Sequence, residues 1–211
     1  MMRKLLSVTL LFLAFAVISS WHVFASPSLV AGRKIVIDPG HGGASDVGSA
    51  ECPGLYEKDA VLDIARRLEA LLVNDGANVL MTRTDDTYKS NNDRYTAANQ
   101  FGGDVLVSVH LNGSTNHNKN GTLGLYGKRN KDLEFTKILH RRLVSDIGVT
   151  DLGTTNFASG VLLKSNMPAS IQETVYISNT TECNLLKDGS GNRQQQIAQS
   201  LYNGLSDWFG K

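Results

Sequence analysis

Cysteine and proline are scarce in this chain of 211 residues: there are 2 Cys and 4 Pro, and aromatics make up only 7%. Two thiols exclude a disulfide-rich scaffold and a zinc site built from four thiolates. With 41% hydrophobic and 19% charged residues, the composition is globular, neither disordered nor collagen-like. A basic excess is also missing. Lys and Arg number 21 against 20 Asp and Glu, for a formal net charge of +1. Nothing is set aside to neutralise a phosphate backbone, so nucleic acid is not an expected partner.

The N-terminus stands apart. Arg3 and Lys4 precede an apolar stretch at 5–18, and Val23-Phe24-Ala25 fits a small-x-small cleavage site. The stretch is short for spanning a bilayer. Residues 1–25 are therefore expected to be a cleaved signal peptide rather than a retained anchor. The protein is then exported, with no stable membrane insertion after cleavage, to a compartment that permits disulfides. The periplasm is the expected location, with secretion or cell-wall association as the alternative, since no recognisable wall-binding module flanks the domain.

Residues 33–211 read as one domain. Short apolar runs at 34–38 (KIVID), 78–82, 105–109, 122–126, 161–163 and 169–177 predict strands. Apolar residues at three- and four-residue steps predict a helix around Val61 to Leu72, ended by Asn74-Asp75-Gly76. Further helices are expected at 91–101, 131–147 and 194–209. This alternation implies an α/β fold: a single domain whose mostly parallel sheet of about six strands carries helices on both faces. Such sheets gather ligands at the carboxyl ends of their strands.

Polar side chains at those ends are the candidates. His41 follows the first strand in Asp38-Pro39-Gly40-His41-Gly42-Gly43, and His110 ends the third in Ser108-Val109-His110-Leu111-Asn112. Glu57 opens the first helix, and Glu173 lies within the last strand. Taken singly, each histidine also reads as a structural one, and Glu57 as a complement to the helix dipole. Glu173 is harder to explain away, because an ionised carboxylate among strand-like apolar neighbours is costly unless paired or used. Two imidazoles and a carboxylate are the usual set for an open catalytic zinc site, and a second carboxylate supplies a general base. Asp38 reads equally as a partner for the His41 ring and as a turn cap. Arg83 and Arg94 carry no assignment. Cys52 and Cys183 are either a disulfide at the cleft rim or two unrelated buried residues. His117 is expected to be solvated, and neither it nor His140 to bind the metal.

These motifs stand in a telling order, from Asp38–Gly43 through Glu57-Lys58-Asp59, Thr82-Arg83 and Ser108–Asn112 to Pro168, Glu173, Ser178-Asn179 and Glu182. In this the chain resembles the zinc-dependent N-acetylmuramoyl-L-alanine amidases of bacterial cell-wall turnover, over about 34–209. The resemblance implies a mixed sheet and one catalytic zinc ion held by His41, Glu57 and His110, with Glu173 as the catalytic carboxylate. It implies a peptidoglycan or muropeptide substrate, cut between the lactyl group of N-acetylmuramic acid and L-alanine. Val175 and Tyr176 depart from the family's usual glycine and Phe. The stretch 112–123 is a short polar loop, so the inserted helix that blocks the zinc in regulated relatives is not expected. A zinc carboxypeptidase and a non-enzymatic wall-binding scaffold remain as alternatives. The first wants an arginine committed to a terminal carboxylate; the second fits poorly with four intact polar candidates.

Overall fold

The computed structural model describes residues 28–211. The expected signal peptide at 1–25 lies outside the described residues. In chain order the elements are β1 (Lys34–Pro39), α1 (Glu57–Asn74), β2 (Asn78–Met81), α2 (Asn91–Phe101), β3 (Val105–Asn112), β4 (Thr122–Tyr126), α3 (Arg129–Ile147), β5 (Asp151–Asn156), α4 (Gly160–Lys164), β6 (Ala169–Tyr176), α5 (Thr180–Leu186) and α6 (Asn192–Phe209). The strands form one sheet in the order β2-β1-β3-β6-β4-β5. Every neighbouring pair is parallel except β4 with β6. The α/β expectation of a mixed, mostly parallel sheet of six strands therefore holds.

Strand alternation decides which helices cover which face. Ile35, Ile37, Val105, Val107 and Val109 point to one side, where α1, α3, α5 and α6 bury Leu68, Phe135, Leu139, Leu186 and Leu201 against them. Val36, Leu106, Ala169 and Ile171 point to the other, under Ala98 of α2 and Val161 and Leu162 of α4. Asp38, Ser108, His110 and Glu173 follow that second set in strand period, so they share its face beyond the apolar contacts.

Two assignments change. Residues 161–163 belong to the helix α4, not to a strand. A three-residue apolar run has no periodicity to separate the two states, and burial against the sheet is served by either. The sixth strand is instead β5, the polar run DLGTTN at the sheet edge. It pairs only with β4 and buries little, so no hydrophobic signal marked it. Helix α5 was also absent from the sequence reading. Asn179 caps it by accepting bonds from the Thr181 and Glu182 N–H groups.

Candidate metal centre and active-site cleft

His41 is held in a conformation that its neighbours impose. It has φ +58°, the left-handed region that side chains other than glycine seldom adopt. Its carbonyl accepts a 2.7 Å bond from Arg94, and the next N–H, of Gly42, bonds the Asp46 carbonyl. Arg83 donates to the carbonyls of Pro39 and Gly40 and to that of Lys58 on α1. The two arginines left unassigned from the sequence are thus buried clamps on the loop after β1.

Beneath them lies Asp38, 1% exposed. It accepts bonds from Thr82 (2.5 Å), Ser108 (2.6 Å) and Arg94 (2.8 Å). Asp38 does not meet the His41 ring. That partner is Asp46, whose Oδ1 lies 2.6 Å from His41 Nδ1. Asp46 sits in a loop without periodicity, so no pattern in the chain marks it as that partner.

His41, Glu57 and His110 come together. Glu57 Oε1 is 3.1 Å from His41 Nε2 and 3.1 Å from His110 Nδ1. The two rings meet edge to face with centroids 4.8 Å apart. Backbone donors fix the carboxylate: Leu111 N–H bonds Oε1 at 2.9 Å and Ser49 N–H bonds Oε2 at 2.8 Å. Close approach is possible because two neighbours lack side chains. A Cβ on Gly40 would run into the His110 ring, and one on Gly48 would lie 2.6 Å from Glu57 Oε2.

Ligand atoms of these three residues all lie within 4.8 Å of one another. The donor set fits a divalent ion. Asp46 accepts a hydrogen bond from His41 Nδ1–H, which leaves Nε2 with a lone pair in the neutral ring. That lone pair faces the Glu57 oxygen, a contact that needs a proton or a cation between them.

Without an ion, protons take that place. Burial lowers the His41 pKa, but the hydrogen bonds its ring donates to Glu57 and Asp46, and their negative charges, outweigh it and hold the ring at about 9. Burial likewise works against His110, and Glu57 and Glu173 raise it. Burial pushes the Glu57 carboxyl up, yet the two imidazoles hold it well below the usual range.

Glu173 stands beside this cluster as the register partner of His110 across β3 and β6. The pairing shifts between His110 and Asn112, a bulge at the carboxyl end of β3 that re-aims the side chains there. Burial raises the Glu173 pKa, the Glu57 charge adds to it, and the two histidines oppose it. All four candidates line one cleft of about 620 Å³, together with Tyr88, Lys89, Asn112, Thr155, Phe157 and Ser159.

The remaining candidates lie elsewhere. Glu182 forms a buried two-point pair with Arg193 of α6. His140 bonds Asp151 of β5 at 2.6 Å. His117 is exposed, with one ring contact to the Ser178 carbonyl. Val175 is fully buried under the α1 and α6 face. Cys52 and Cys183 form a disulfide that ties the loop before α1 to α5. Between β3 and β4 the described residues contain no helix, so nothing there blocks the cleft.

Sheet order, cleft position and the cluster of two imidazoles and two carboxylates all suit a hydrolase domain with its chemistry at the strand ends. The chain belongs to the N-acetylmuramoyl-L-alanine amidase family, whose model matches residues 35–207.

Among particular relatives, the sporulation-specific N-acetylmuramoyl-L-alanine amidase of Bacillus subtilis is 36% identical over 183 residues, covering 83% of this chain and 68% of that protein. A Staphylococcus epidermidis protein named "Probable cell wall amidase LytH" is 31% identical over 201 residues, and the match covers 91% of this chain. The chain spans 66% of that relative's length, just under two thirds. The crystal structure of an N-acetylmuramoyl-L-alanine amidase from Clostridium difficile 630 superposes with a TM-score of 0.79 at 34% identity, over 85% of this chain and 98% of that one.

Proposed function

We propose that this protein hydrolyses the amide bond between the lactyl group of N-acetylmuramic acid and the L-alanine of the stem peptide. The observation that carries the reading is the meeting of His41, Glu57 and His110 around one point, with Glu173 beside it in an open cleft. His41, Glu57 and His110 hold a zinc ion. When bound, such an ion supplies an activated water and polarises the carbonyl to be attacked.

The chain's own residues do the rest. Asp46 keeps the His41 ring in the tautomer whose Nε2 lone pair, turned toward Glu57, would be offered to the ion. Glu173 takes the proton from the attacking water and returns it to the departing alanine amine. Its raised pKa suits a group that must both accept and give a proton.

The site of action is outside the cytoplasmic membrane, at the cell wall. A signal peptide at 1–25 and the Cys52–Cys183 disulfide support export. Among the described residues no helix is long and apolar enough to cross a membrane.

The test joins metal analysis of the purified protein to mass spectrometry of digested muropeptides. One zinc per chain and release of intact stem peptides are expected. Glu173→Gln keeps the zinc and loses about 10²- to 10⁴-fold in hydrolysis. Removal of a terminal residue from the stem would point to a carboxypeptidase instead, and full activity of the Gln variant would remove Glu173 from the reaction.

A further inference from the structure

We propose that Lys89 selects stem peptides that carry a free carboxylate on the residue following the scissile alanine. This rests on the amidase reading above. The starting point is a cation in the cleft, Lys89, whose charge reaches Asp85 and Asp93 only at longer range. Lys89 is half-buried and lines the cleft. Among the described residues no carboxylate lies within 4 Å of its ammonium group.

Its acidic neighbours are otherwise engaged. Asp85 accepts from the Thr87 N–H, Asp86 pairs with Lys58, and Asp93 closes the capping box with Ser90 at the start of α2. The other cation of the cleft, Arg94, is spent on Asp38 and on backbone carbonyls. Thr155, Phe157 and Ser159, which also line the cleft, bring no charge to it. Among the described residues Lys89 is therefore the cleft cation without a carboxylate partner within 4 Å, and so is placed to meet an anion from solvent.

Its place relative to the cluster is fixed. The Arg94 guanidinium donates from Nε to the Lys89 carbonyl (3.0 Å) and from its terminal nitrogen to the His41 carbonyl (2.7 Å). One planar group thus holds the lysine backbone beside the backbone of a proposed metal ligand, and a flexible four-carbon stem lets the ammonium range along the cleft. A peptide chain advances at most about 3.5 Å per residue, so a carboxylate one residue past the scissile alanine lies within about 7 Å of the bond to be cut. In stem peptides that position is a D-glutamate linked through its side chain. Its α-carboxylate is either free or amidated, which divides the substrates into two classes.

Calorimetric binding of the zinc-loaded protein to three peptides tests this: L-Ala-γ-D-Glu-L-Lys-D-Ala, its α-carboxamide on the second residue, and its C-terminal amide. A charge-assisted hydrogen bond at a partly exposed site supports about a tenfold difference in Kd. Lys89→Met is expected to bind the free peptide about tenfold more weakly, and the wild type to bind the second-residue carboxamide about tenfold more weakly. The two changes together cost no more than either alone. Lys89→Arg stays within about twofold of the wild type.

Equal binding by the Met variant, additive losses, or a loss tied only to the C-terminal amide overturns the inference. Cleavage of muropeptides without this coupling removes the lysine's role alone. Coupling without lactyl–alanine cleavage keeps the anion site but removes the amidase reading on which the choice of substrate rests.

Discussion

Zinc binding must compete with a proton, and the structure says how strongly. Metal ligation needs a neutral imidazole, whereas Glu57 and Asp46, against the effect of burial, hold the metal-free His41 ring at a pKa of about 9. At pH 7 that proton has to leave. Apparent zinc affinity should weaken about tenfold for each pH unit below about 9, hence about 100-fold between pH 9 and pH 7, or about 2.7 kcal/mol. The assay is calorimetric titration of zinc into chelator-stripped protein, in two buffers of different ionisation heat at each pH. At least one proton per ion should be released at pH 7.

The same shift acts on folding. The His41 pKa lies above its ordinary 6.5. Its contribution to the stability of the metal-free protein is therefore fully present below pH 6.5 and is lost as pH rises through about 9. Glu57 runs the opposite way: held below its ordinary 4.5, it stabilises above that pH, and the contribution fades as the solution is acidified. Equal zinc affinity at pH 7 and pH 9, corrected for buffer competition, with no proton released at pH 7, would refute this account of the cluster.

Three further outcomes follow from the geometry. Asp46→Ala removes the group that fixes the His41 tautomer and should cost about 10- to 100-fold in zinc affinity, read by chelator competition, with a smaller effect on thermal unfolding. Gly40→Ala drives a methyl group into the His110 ring, so metal content should fall in the purified variant even where circular dichroism shows a retained fold. Joint replacement of Cys52 and Cys183 by Ser opens a link across 131 residues and should lower stability by about 2–5 kcal/mol in denaturant titration, with the difference between the proteins vanishing in reductant.

Much of this arrangement was readable in the chain because the signals were local. Helix α2 spans the expected 91–101, since Ser90 and Asp93 form a capping box and Gly102 closes the helix in the left-handed region. Strands β1, β3 and β6 carry enough buried Val, Ile and Leu to declare themselves, and their carboxyl ends delivered His41, His110 and Glu173 to one side of the sheet. The polar strand β5 and the five-residue helix α4 escaped, because neither has a periodic apolar face long enough to read.

Among the site residues, Asp46 was hidden for a different reason. Its role exists only once Gly42 bonds the Asp46 carbonyl and folds the loop back on His41. Arg83 and Arg94 were visible as charges but not as clamps, since backbone carbonyls leave no trace in sequence. The disulfide likewise needed α5 to be placed before its two cysteines could be seen as neighbours.

Asp38 has a consequence that extends past its own three bonds. With Thr82, Ser108 and Arg94 already satisfied around it, the floor under the histidines owes its shape to strand pairing and hydrogen bonds rather than to any ion. Zinc fingers, by contrast, melt when their metal is withdrawn. Chelation is therefore expected to leave the strand ends of this domain folded, read as an unchanged far-ultraviolet circular dichroism spectrum.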